Sequence, residues 1–199
     1  MRLGILGGTF DPIHVGHLEA ARAAIDCARL DRVLFIPSAR PPHRPDAHAP
    51  AGARLEMCRL AVEGEPRFEV SDLEVRRGGP SYTVDTLMGL RQARPADDLH
   101  LILGWDAAKL FRTWHKPASV MQLAMIVVVS RPGITAPHPD ELRAAGLDPL
   151  RVISCLGITP DVSSSALRRE IASGASIAGQ VPDAVQRYIA AHNLYGDNR

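Results

Sequence analysis

Short segments of almost continuous apolar sequence alternate along this chain with segments of helical periodicity. The apolar segments that we interpret as strands are Leu3–Leu6, Val33–Ile36, Phe68–Val70, Leu99–Leu103, Ala124–Val129 and Val152–Ile153. Strands that lack a regular polar alternation are buried on both faces, which is typical of a parallel sheet covered by helices. We therefore predict an α/β fold, a doubly wound parallel sheet with helices on both faces.

The spacing of apolar residues predicts helices between and after these strands. We expect helices over His17–Arg29, around Leu55–Val62, over Thr83–Gln92, after Ser163–Ser165 and from Pro182 onward. Pro182 is predicted to occupy the first position of the last helix, where the N–H that proline lacks would have no intrahelical acceptor. Residues 37–50 hold five of the sixteen prolines and are predicted to form an irregular loop. The length of 199 residues favours a single domain over residues 1–199, with a short C-terminal helical part over roughly residues 160–199.

The composition limits the classes of protein to which the chain can belong. Apolar residues make up 46% and charged residues 23%, which is ordinary for a folded protein. Because 23 basic residues face 22 acidic ones, a strongly basic nucleic-acid coat is excluded. The longest apolar run, Leu123–Val129, is far shorter than the ~20 residues of a membrane span, and the glycine-rich start lacks the apolar core of a signal peptide. We expect a cytoplasmic protein that binds neither membranes nor nucleic acids.

The cysteines carry a prediction of their own. Cys27, Cys58 and Cys155 are widely spaced and lie in apolar segments. An odd number of cysteines without CxxC spacing is typical of reduced, buried thiols in the cytosol. We therefore expect three free thiols.

The first predicted strand runs directly into the string GGTFDPIHVGH at residues 7–17. Gly7 and Gly8 allow backbone N–H groups to approach a bulky anion, and the next helix directs its positive N-terminal end toward that anion. His14 and His17 are three residues apart, which places both imidazoles on one face of a helical turn. Gly16 between them is expected to leave room for a ligand against the backbone. Two imidazoles beside a glycine turn fit a polyphosphate whose charge is neutralised during phosphoryl transfer.

This string resembles the HxGH signature of the nucleotidylyltransferase superfamily, and more closely that of the bacterial nicotinate-nucleotide adenylyltransferases. Later blocks similar to those of that family follow in the same order: Pro37–Arg44, Gly79–Leu87, Gly104–Trp114, Val162–Arg168 and the ending Val181–Tyr195. Ordered blocks of this kind are far more specific than one motif, and they cover most of the chain. The resemblance implies a Rossmann-like fold and transfer of the adenylyl group of ATP to nicotinate mononucleotide. Deamido-NAD and pyrophosphate are the implied products, in NAD biosynthesis.

The resemblance also implies roles for individual residues. His14, His17 and Arg168 are implied to stabilise charge during catalysis. The residues implied to bind ATP or its phosphates are Gly7, Gly8, Thr9, Phe10, Gly16, Arg44, Gly104, Asp106, Ser163 and Ser164. Those implied to bind nicotinate mononucleotide are Thr83, Trp114 and His115. No cluster with metal-ligand spacing is visible in the sequence, and we expect Mg²⁺ to be held mainly by ATP phosphates. The sequence leaves open whether the chain forms a homo-oligomer.

The later blocks also have simpler interpretations. The Ser163–Ser165 hydroxyls at a helix start would cap N–H groups or hold phosphate oxygens, and Arg168 would fork onto a phosphate or lie on the surface. Asp106 after a strand would accept ribose hydroxyls or cap a helix. Trp114 would stack on a ligand ring or pack in the core.

The proline-rich loop carries Arg40, His43 and Arg44, three groups able to hold positive charge. We expect them to close over bound nucleotides, whereas the simpler interpretation is a solvated loop. Arg44 stands where the family has lysine.

Two further positions depart from the family pattern. Trp105 places a large side chain in the variable middle of the GxD block, and His115 stands where relatives often have tyrosine. In the family, backbone amides near the positions of Thr83 and His115 hold the nicotinate carboxylate. His115 is therefore expected to keep this recognition and to be able to add a cation to it.

Other functions are compatible with parts of the sequence. Within the superfamily these are adenylylation of nicotinamide mononucleotide, pantetheine-phosphate adenylyl transfer and cytidylyl transfer. The Gly79–Leu87 and Gly104–Trp114 blocks disfavour the last two. A catalytically silent nucleotide-binding module belongs to another class of function, and it receives no support because both signature histidines and Arg168 are present.

Overall fold

The computed structural model describes residues 1–41, 47–130, 136–157 and 160–196. Within these ranges the strands are β1 (Arg2–Gly8), β2 (Arg32–Pro37), β3 (Phe68–Val70), β4 (Asp98–Gly104), β5 (Met125–Ser130) and β6 (Val152–Leu156). The helices are α1 (Val15–Ala28), α2 (Ala51–Val62), α3 (Leu73–Arg77), α4 (Thr83–Ala93), α5 (Trp105–Ala108), α6 (Pro117–Leu123), α7 (Pro139–Ala144), α8 (Ser164–Ala172) and α9 (Asp183–Ala191). Two 3₁₀ turns cover Phe111–Thr113 and Pro149–Arg151.

The strands form one parallel sheet in the order β3-β2-β1-β4-β5-β6. The chain order reverses beside β1, which makes the sheet doubly wound and confirms the predicted fold class. Ile5 pairs with Leu101 in β4, and Leu101 pairs with Ile126 in β5. Because the strands are parallel, the carboxyl ends of β1 and β4 lie at the same edge of the sheet, where ligands of such folds bind.

All six predicted strands are present, whereas four of the helices were not predicted. These are α3, α5, α6 and α7, which have only four to seven residues each. Such helices are too short to show a helical period in the sequence. Pro182 is the N-cap of α9 and not its first residue, so the predicted start was one residue early. Among the described residues, no helix is both long enough and apolar enough to cross a membrane.

The chain divides into two compact units. The first unit comprises Met1–Gly7, Glu19–Leu34 and Tyr82–Thr159, and the second comprises Gly8–Leu18, Phe35–Ser81 and Pro160–Arg199. The prediction of one domain over residues 1–199 stays a prediction.

Close packing explains a glycine inside β1 of the first unit. A Cβ on Gly4 would lie 2.8 Å from Leu30 Cδ1 and 2.9 Å from the side chains of Val33 and Ile102. Real Cβ atoms do not approach neighbours so closely, and a filled core cannot yield easily. The glycine therefore lets apolar side chains of the first unit pack directly against the backbone of the strand that leads to the HxGH string.

In the second unit, α2 contacts β3, α3 and α9. Its buried residues are Arg54, Leu55, Met57 and Cys58. Burial of the charged Arg54 on this face is unusual, because a guanidinium without partners is costly to desolvate. Its partners are backbone carbonyls, which lie beside the candidate residues described below.

The cysteines differ from the prediction of three free thiols. Cys27 at the end of α1 and Cys155 in β6 form a disulfide within the first unit. Cys58 is the free cysteine, and it is buried. Spacing along the chain could not reveal a bond between residues 128 positions apart, since this pairing depends on α1 lying against β6.

Counting thiols tests this pairing. Unfolded without reductant, the chain is expected to bind one equivalent of a thiol reagent, at Cys58, and three equivalents after reduction. In the folded protein Cys58 should react slowly, because burial raises the pKa of its thiol and the thiolate is the reactive form. Cys58→Ala is the control and should bind none before reduction. Three equivalents before reduction would contradict the disulfide.

Candidate active site

The loop after β1 carries the first candidate residues. Gly7 is exposed, and Gly8 and Thr9 are half-buried. Ser38 donates its backbone N–H to the Gly8 carbonyl at 2.9 Å, which fixes the loop. A Cβ on Gly8 would lie 3.1 Å from the Phe10 ring, so a side chain there would press on that ring. The loop therefore presents backbone to solvent, as binding of a phosphate requires.

Phe10 is placed differently from the other predicted phosphate-binding residues. Its φ of 49° turns the chain, and its side chain is 2% exposed. The ring packs edge-on against His17, with centroids 5.0 Å apart, and also contacts Phe35. The ring therefore supports the His17 imidazole, and the predicted phosphate contact of Phe10 stays a prediction.

The two signature histidines lie together, as their spacing predicts. Their rings stack with centroids 3.7 Å apart and planes inclined by 30°. His14 is buried just before α1 begins, and His17 is half-buried in the first turn of α1. The positive end of the α1 dipole therefore adds to whatever charge the imidazoles offer an anion.

A hydrogen bond sets the position of the proton on His17. Its Nδ1 accepts the backbone N–H of His14 at 3.2 Å. A ring nitrogen that accepts an N–H carries no proton, so the proton of the neutral ring is on Nε2. His17 is thus arranged as a hydrogen-bond donor through Nε2, which suits a phosphate oxygen.

Gly16 lies against the ring of His14. A Cβ at this position would lie 3.1 Å from Nδ1 of His14 and 3.6 Å from the carbonyl oxygen of Pro160. A side chain at this position would therefore press on the His14 ring, and the predicted room for a ligand stays a prediction. The glycine of the HxGH string allows the two imidazoles to stack.

Helix α8 places its candidate residues against the same loop. Ser163 caps α8, because its Oγ accepts the N–H of Ala166 at 3.2 Å. The Ser164 hydroxyl donates to the Pro12 carbonyl at 2.9 Å. Nη1 of Arg168 donates to the Asp11 carbonyl at 2.7 Å. Ser163 thus follows the simpler interpretation of a cap, and Ser164 and Arg168 are brought to the loop that carries His14.

Asp11 is a central residue of this region that the sequence analysis missed. Its carboxylate is 4% exposed and accepts the N–H groups of His48, at 2.8 Å, and Ala49, at 3.0 Å. The Tyr195 hydroxyl donates to it at 2.8 Å, and Nη1 of Arg168 lies 3.8 Å from Oδ2. Asp11 lies inside the string at residues 7–17, between Phe10 and Pro12. A charged residue at this place was a signal that could have identified it.

Arg54 holds the loop after β1 through hydrogen bonds to backbone carbonyls. The side chain is 1% exposed and donates to three carbonyls, those of Thr9 at 2.6 Å, Ala49 at 3.1 Å and Ala39 at 3.2 Å. Burial lowers the pKa of Arg54 from its ordinary value, and the nearby Asp11 carboxylate opposes that shift. Arg54 therefore fixes Thr9 relative to both ends of the proline-rich loop.

In the first unit, β4 ends at a second glycine. Gly104 is exposed at the carboxyl end of β4, and Asp106 is exposed in the first turn of α5. Trp105 between them is 6% exposed, and Nζ of Lys109 lies 5.4 Å from its ring centroid. The large side chain at position 105 is therefore packed inside, and it leaves Gly104 and Asp106 at the surface.

The residues predicted to bind the pyridine nucleotide are also in the first unit. Thr83 begins α4 and is half-buried. His115 is exposed, and its ring centroid lies 4.4 Å from that of Tyr82. Trp114 is half-buried against Phe111, at 5.4 Å between centroids. Trp114 thus keeps part of its ring at the surface.

The last predictions concern the cations of the proline-rich loop and a metal site. His43 and Arg44 lie outside the described residues, and only Arg40 of the three loop cations is described. Within the described ranges, no group of three or more His, Cys, Asp or Glu side chains is arranged to hold a metal ion.

The chain is similar to known proteins over its whole length. The model of the cytidylyltransferase-like family matches residues 5–170. A probable nicotinate-nucleotide adenylyltransferase of Thermus thermophilus is 46% identical over 98% of this chain and 100% of the relative. A protein of the same name from Geobacter metallireducens is 43% identical over the full length of both chains.

Solved structures show the same fold. Nicotinic acid mononucleotide adenylyltransferase of Plasmodium falciparum, complexed with NaAD, covers 98% of this chain and 97% of its own with a TM-score of 0.79 and 17% identity. The structure of a putative nicotinate-nucleotide adenylyltransferase from Vibrio parahaemolyticus covers 100% of this chain and 98% of its own, with a TM-score of 0.70 and 17% identity.

Proposed function

Since the chain belongs to the nicotinate-nucleotide adenylyltransferase family, we propose that it transfers the adenylyl group of ATP to nicotinate mononucleotide. The products are deamido-NAD and pyrophosphate, and the reaction serves NAD synthesis. The observation that carries the proposal within this chain is the stacked pair His14 and His17, beside a glycine loop to which Arg168 is hydrogen-bonded. These groups suit the neutralisation of charge on a polyphosphate.

The reaction needs little covalent participation by the protein. An oxygen of the mononucleotide phosphate attacks the α-phosphorus of ATP and forms the new P–O bond. The bond from the α-phosphorus to the oxygen bridging to the β-phosphate breaks, and pyrophosphate leaves with that electron pair. A phosphate monoester has its second pKa near 6, so the attacking oxygen is mostly ionised at pH 7 and no general base is required. Catalysis is then positioning and stabilisation of charge.

The residues of the glycine loop, of the start of α1 and of α8 are assigned to the phosphates. His17 donates from Nε2, and His14 stacks on it so that its ring cannot turn freely. The backbone at Gly8 and Thr9 contacts phosphate oxygens, as does Ser164. Arg168 has five N–H donors and uses only part of them on Asp11, so it can also hold a phosphate. Gly7, Gly16 and Ser163 shape the loop and the start of α8.

The remaining predicted residues are assigned to the nucleosides. Gly104 and Asp106 contact the adenosine side of ATP, where the carboxylate accepts ribose hydroxyls. Thr83, Trp114 and His115 frame the pyridine ring. Arg44 is proposed to contact ATP phosphates.

Mg²⁺ is proposed to enter with ATP as part of the substrate. This ion prefers phosphate and water oxygens and retains several waters when bound to nucleotides. Nδ1 of His17 already accepts an N–H, so that atom has no lone pair left for a metal ion. We assign no protein ligand to Mg²⁺.

A cytoplasmic location is also proposed, since ATP-dependent synthesis of a dinucleotide requires cytoplasmic ATP. The Cys27–Cys155 disulfide is a bond that reducing compartments disfavour. Its state in the cell is therefore a direct check on the location.

A product assay tests the proposed function. Purified protein with MgATP and nicotinate mononucleotide is expected to form deamido-NAD and pyrophosphate in equal amounts. Replacing ATP by CTP is the control for cytidylyl transfer and should give no dinucleotide. Phosphopantetheine with MgATP tests the remaining transfer within the superfamily. Absence of deamido-NAD, with product formed in either other reaction, would overturn the assignment.

A further inference from the structure

Tyr195 joins the C-terminal segment to the loop that carries the signature histidines. The chain leaves α9 through residues in the left-handed region, with a φ of 48° at Asn193 and 65° at Tyr195. Such a conformation is disfavoured for residues other than glycine, and it persists only where surrounding contacts compensate. At Asn193 the Leu194 N–H donates to the Ile189 carbonyl at 3.0 Å and closes the end of α9. Beyond it, the Tyr195 hydroxyl donates to Oδ1 of Asp11, at 2.8 Å and 184 residues away in sequence.

Among the described residues, three hydrogen-bond donors contact the Asp11 carboxylate. Oδ1 accepts from Ala49 and from Tyr195, and Oδ2 accepts from His48. Among the described residues, Nδ1 of His48 lies 3.4 Å from Oδ2 and carries charge only if protonated, and Nη1 of Arg168 lies 3.8 Å from Oδ2. A carboxylate that is 4% exposed cannot replace a lost donor with bulk water. Removal of the tyrosine hydroxyl therefore increases the pull of Asp11 on its remaining neighbours.

Arg168 is the neighbour that would move. Its Nη1 donates to the Asp11 backbone carbonyl at 2.7 Å and stays 3.8 Å from the carboxylate. This is a hydrogen bond to the main chain with only a loose ion pair beside it. Full pairing with the carboxylate would turn the guanidinium toward Asp11, and fewer N–H groups would then remain for a phosphate.

From this geometry we propose that Tyr195 is a positioning residue for adenylyl transfer, whose hydroxyl satisfies the buried Asp11 carboxylate and so keeps Arg168 available to the phosphates of ATP. This inference rests on the proposed function, in which Arg168 binds phosphate. It assigns a role in the reaction to a residue of the C-terminal segment.

The protonation of Tyr195 supports this role. Burial, followed by the charge of Asp11, raises the pKa of Tyr195 far above its ordinary value. The phenol therefore remains a hydrogen-bond donor at neutral pH. Arg168 and Arg54 act in the opposite direction on that pKa, with smaller effects.

Tyr195→Phe is the sharpest test, because it removes one oxygen and keeps the ring. We expect kcat/KM for ATP to fall about three- to tenfold, the size of one ordinary hydrogen bond. Tyr188→Phe is the matched control. Tyr188 lies in α9, stacks on His192 with centroids 4.0 Å apart, and should keep wild-type kinetics.

A double-mutant cycle separates positioning from general support of the fold. The same substitution is made in an Arg168→Lys background, where the charge is kept and the forked geometry is lost. We expect Tyr195→Phe to have almost no further effect on kcat/KM in that background. An equal fold-loss in both backgrounds would overturn the inference, and so would wild-type kinetics of Tyr195→Phe alone.

The readouts distinguish this inference from the proposed function. If the wild-type protein makes no deamido-NAD, the proposed function fails, and the cycle is run instead on the affinity for ATP measured by calorimetry. Weaker ATP binding by Tyr195→Phe, again absent in the Arg168→Lys background, would support the positioning role alone. Unchanged ATP affinity in that experiment would overturn it.

Discussion

Replacing His17 by alanine is expected to lower kcat by about 10²–10³-fold, the usual cost of removing one preorganised donor from a site that stabilises developing charge. The hydrogen bond from the His14 N–H to Nδ1 leaves the proton of the neutral imidazole on Nε2, so a donor is in place before the substrate binds. Steady-state kinetics with MgATP and nicotinate mononucleotide measure the effect.

The fold of this variant needs its own measurement. The His17 ring contacts the buried ring of Phe10 and stacks on His14, so alanine removes packing as well as a donor. We therefore expect a modestly lower melting temperature, although His17 is only half-buried. The far-ultraviolet circular dichroism spectrum should be that of the wild-type protein.

Two further variants separate the functions of the ring. In His17→Asn, the side-chain oxygen can still accept the His14 N–H, while the Nε2 donor is lost, so kcat should fall nearly as far as in the alanine variant. His192→Ala removes an exposed histidine that stacks on Tyr188, and should leave kcat unchanged. A purified His17→Ala protein with near-normal kcat would show that its role has been assigned wrongly.

The strands were predictable because burial on both faces leaves a direct trace in the sequence. Leu99–Leu103 and Ala124–Val129 contain almost no polar residue, and both lie in strands, β4 and β5. The short helices left no such trace. α6, for example, begins at Pro117 after Lys116, whose φ of 50° could not be read from residue types.

The candidate site was predictable where its geometry is local. Three-residue spacing on one helical turn is enough to place His14 beside His17, and the observed stacking agrees with it. The contacts that hold this arrangement are distant in sequence. Tyr195 reaches Asp11 across 184 residues, and Arg54 reaches Thr9 across 45. No periodicity connects such positions, so the support of the site emerges only from the folded chain.

Gly16 illustrates how the contacts of a motif residue differ from what its residue type alone predicts. The residue type was predicted to matter because a small residue leaves room for a ligand. In the structure, a Cβ at this position would lie 3.1 Å from the His14 ring, so glycine is also needed for packing against that ring. The sequence shows that this position is glycine, but it does not show which neighbouring atom a larger side chain would meet.

The enzyme is expected to prefer nicotinate mononucleotide over nicotinamide mononucleotide by about ten- to a hundredfold in kcat/KM for one mismatched donor, and by more for two. The two substrates differ only in a carboxylate against a carboxamide. Backbone N–H groups near Thr83, at the start of α4, and near His115 are proposed to pair with both carboxylate oxygens. A carboxamide would present its NH₂ to one of these donors, and an unpaired buried donor costs ~1–3 kcal/mol.

Side-chain variants test which part of the pocket discriminates. Trp114 offers a half-buried ring to either pyridine, so Trp114→Ala should raise KM for both mononucleotides with less effect on the ratio of their kcat/KM values. His115→Ala removes an exposed imidazole that packs against the Tyr82 ring at a tilt of 34°. If backbone donors discriminate, this variant keeps most of the preference for the acid. If a cationic His115 contributes, the variant loses part of that preference. Equal kcat/KM for the two mononucleotides in the wild-type enzyme, or a preference for the amide, would show that the pyridine pocket lies elsewhere.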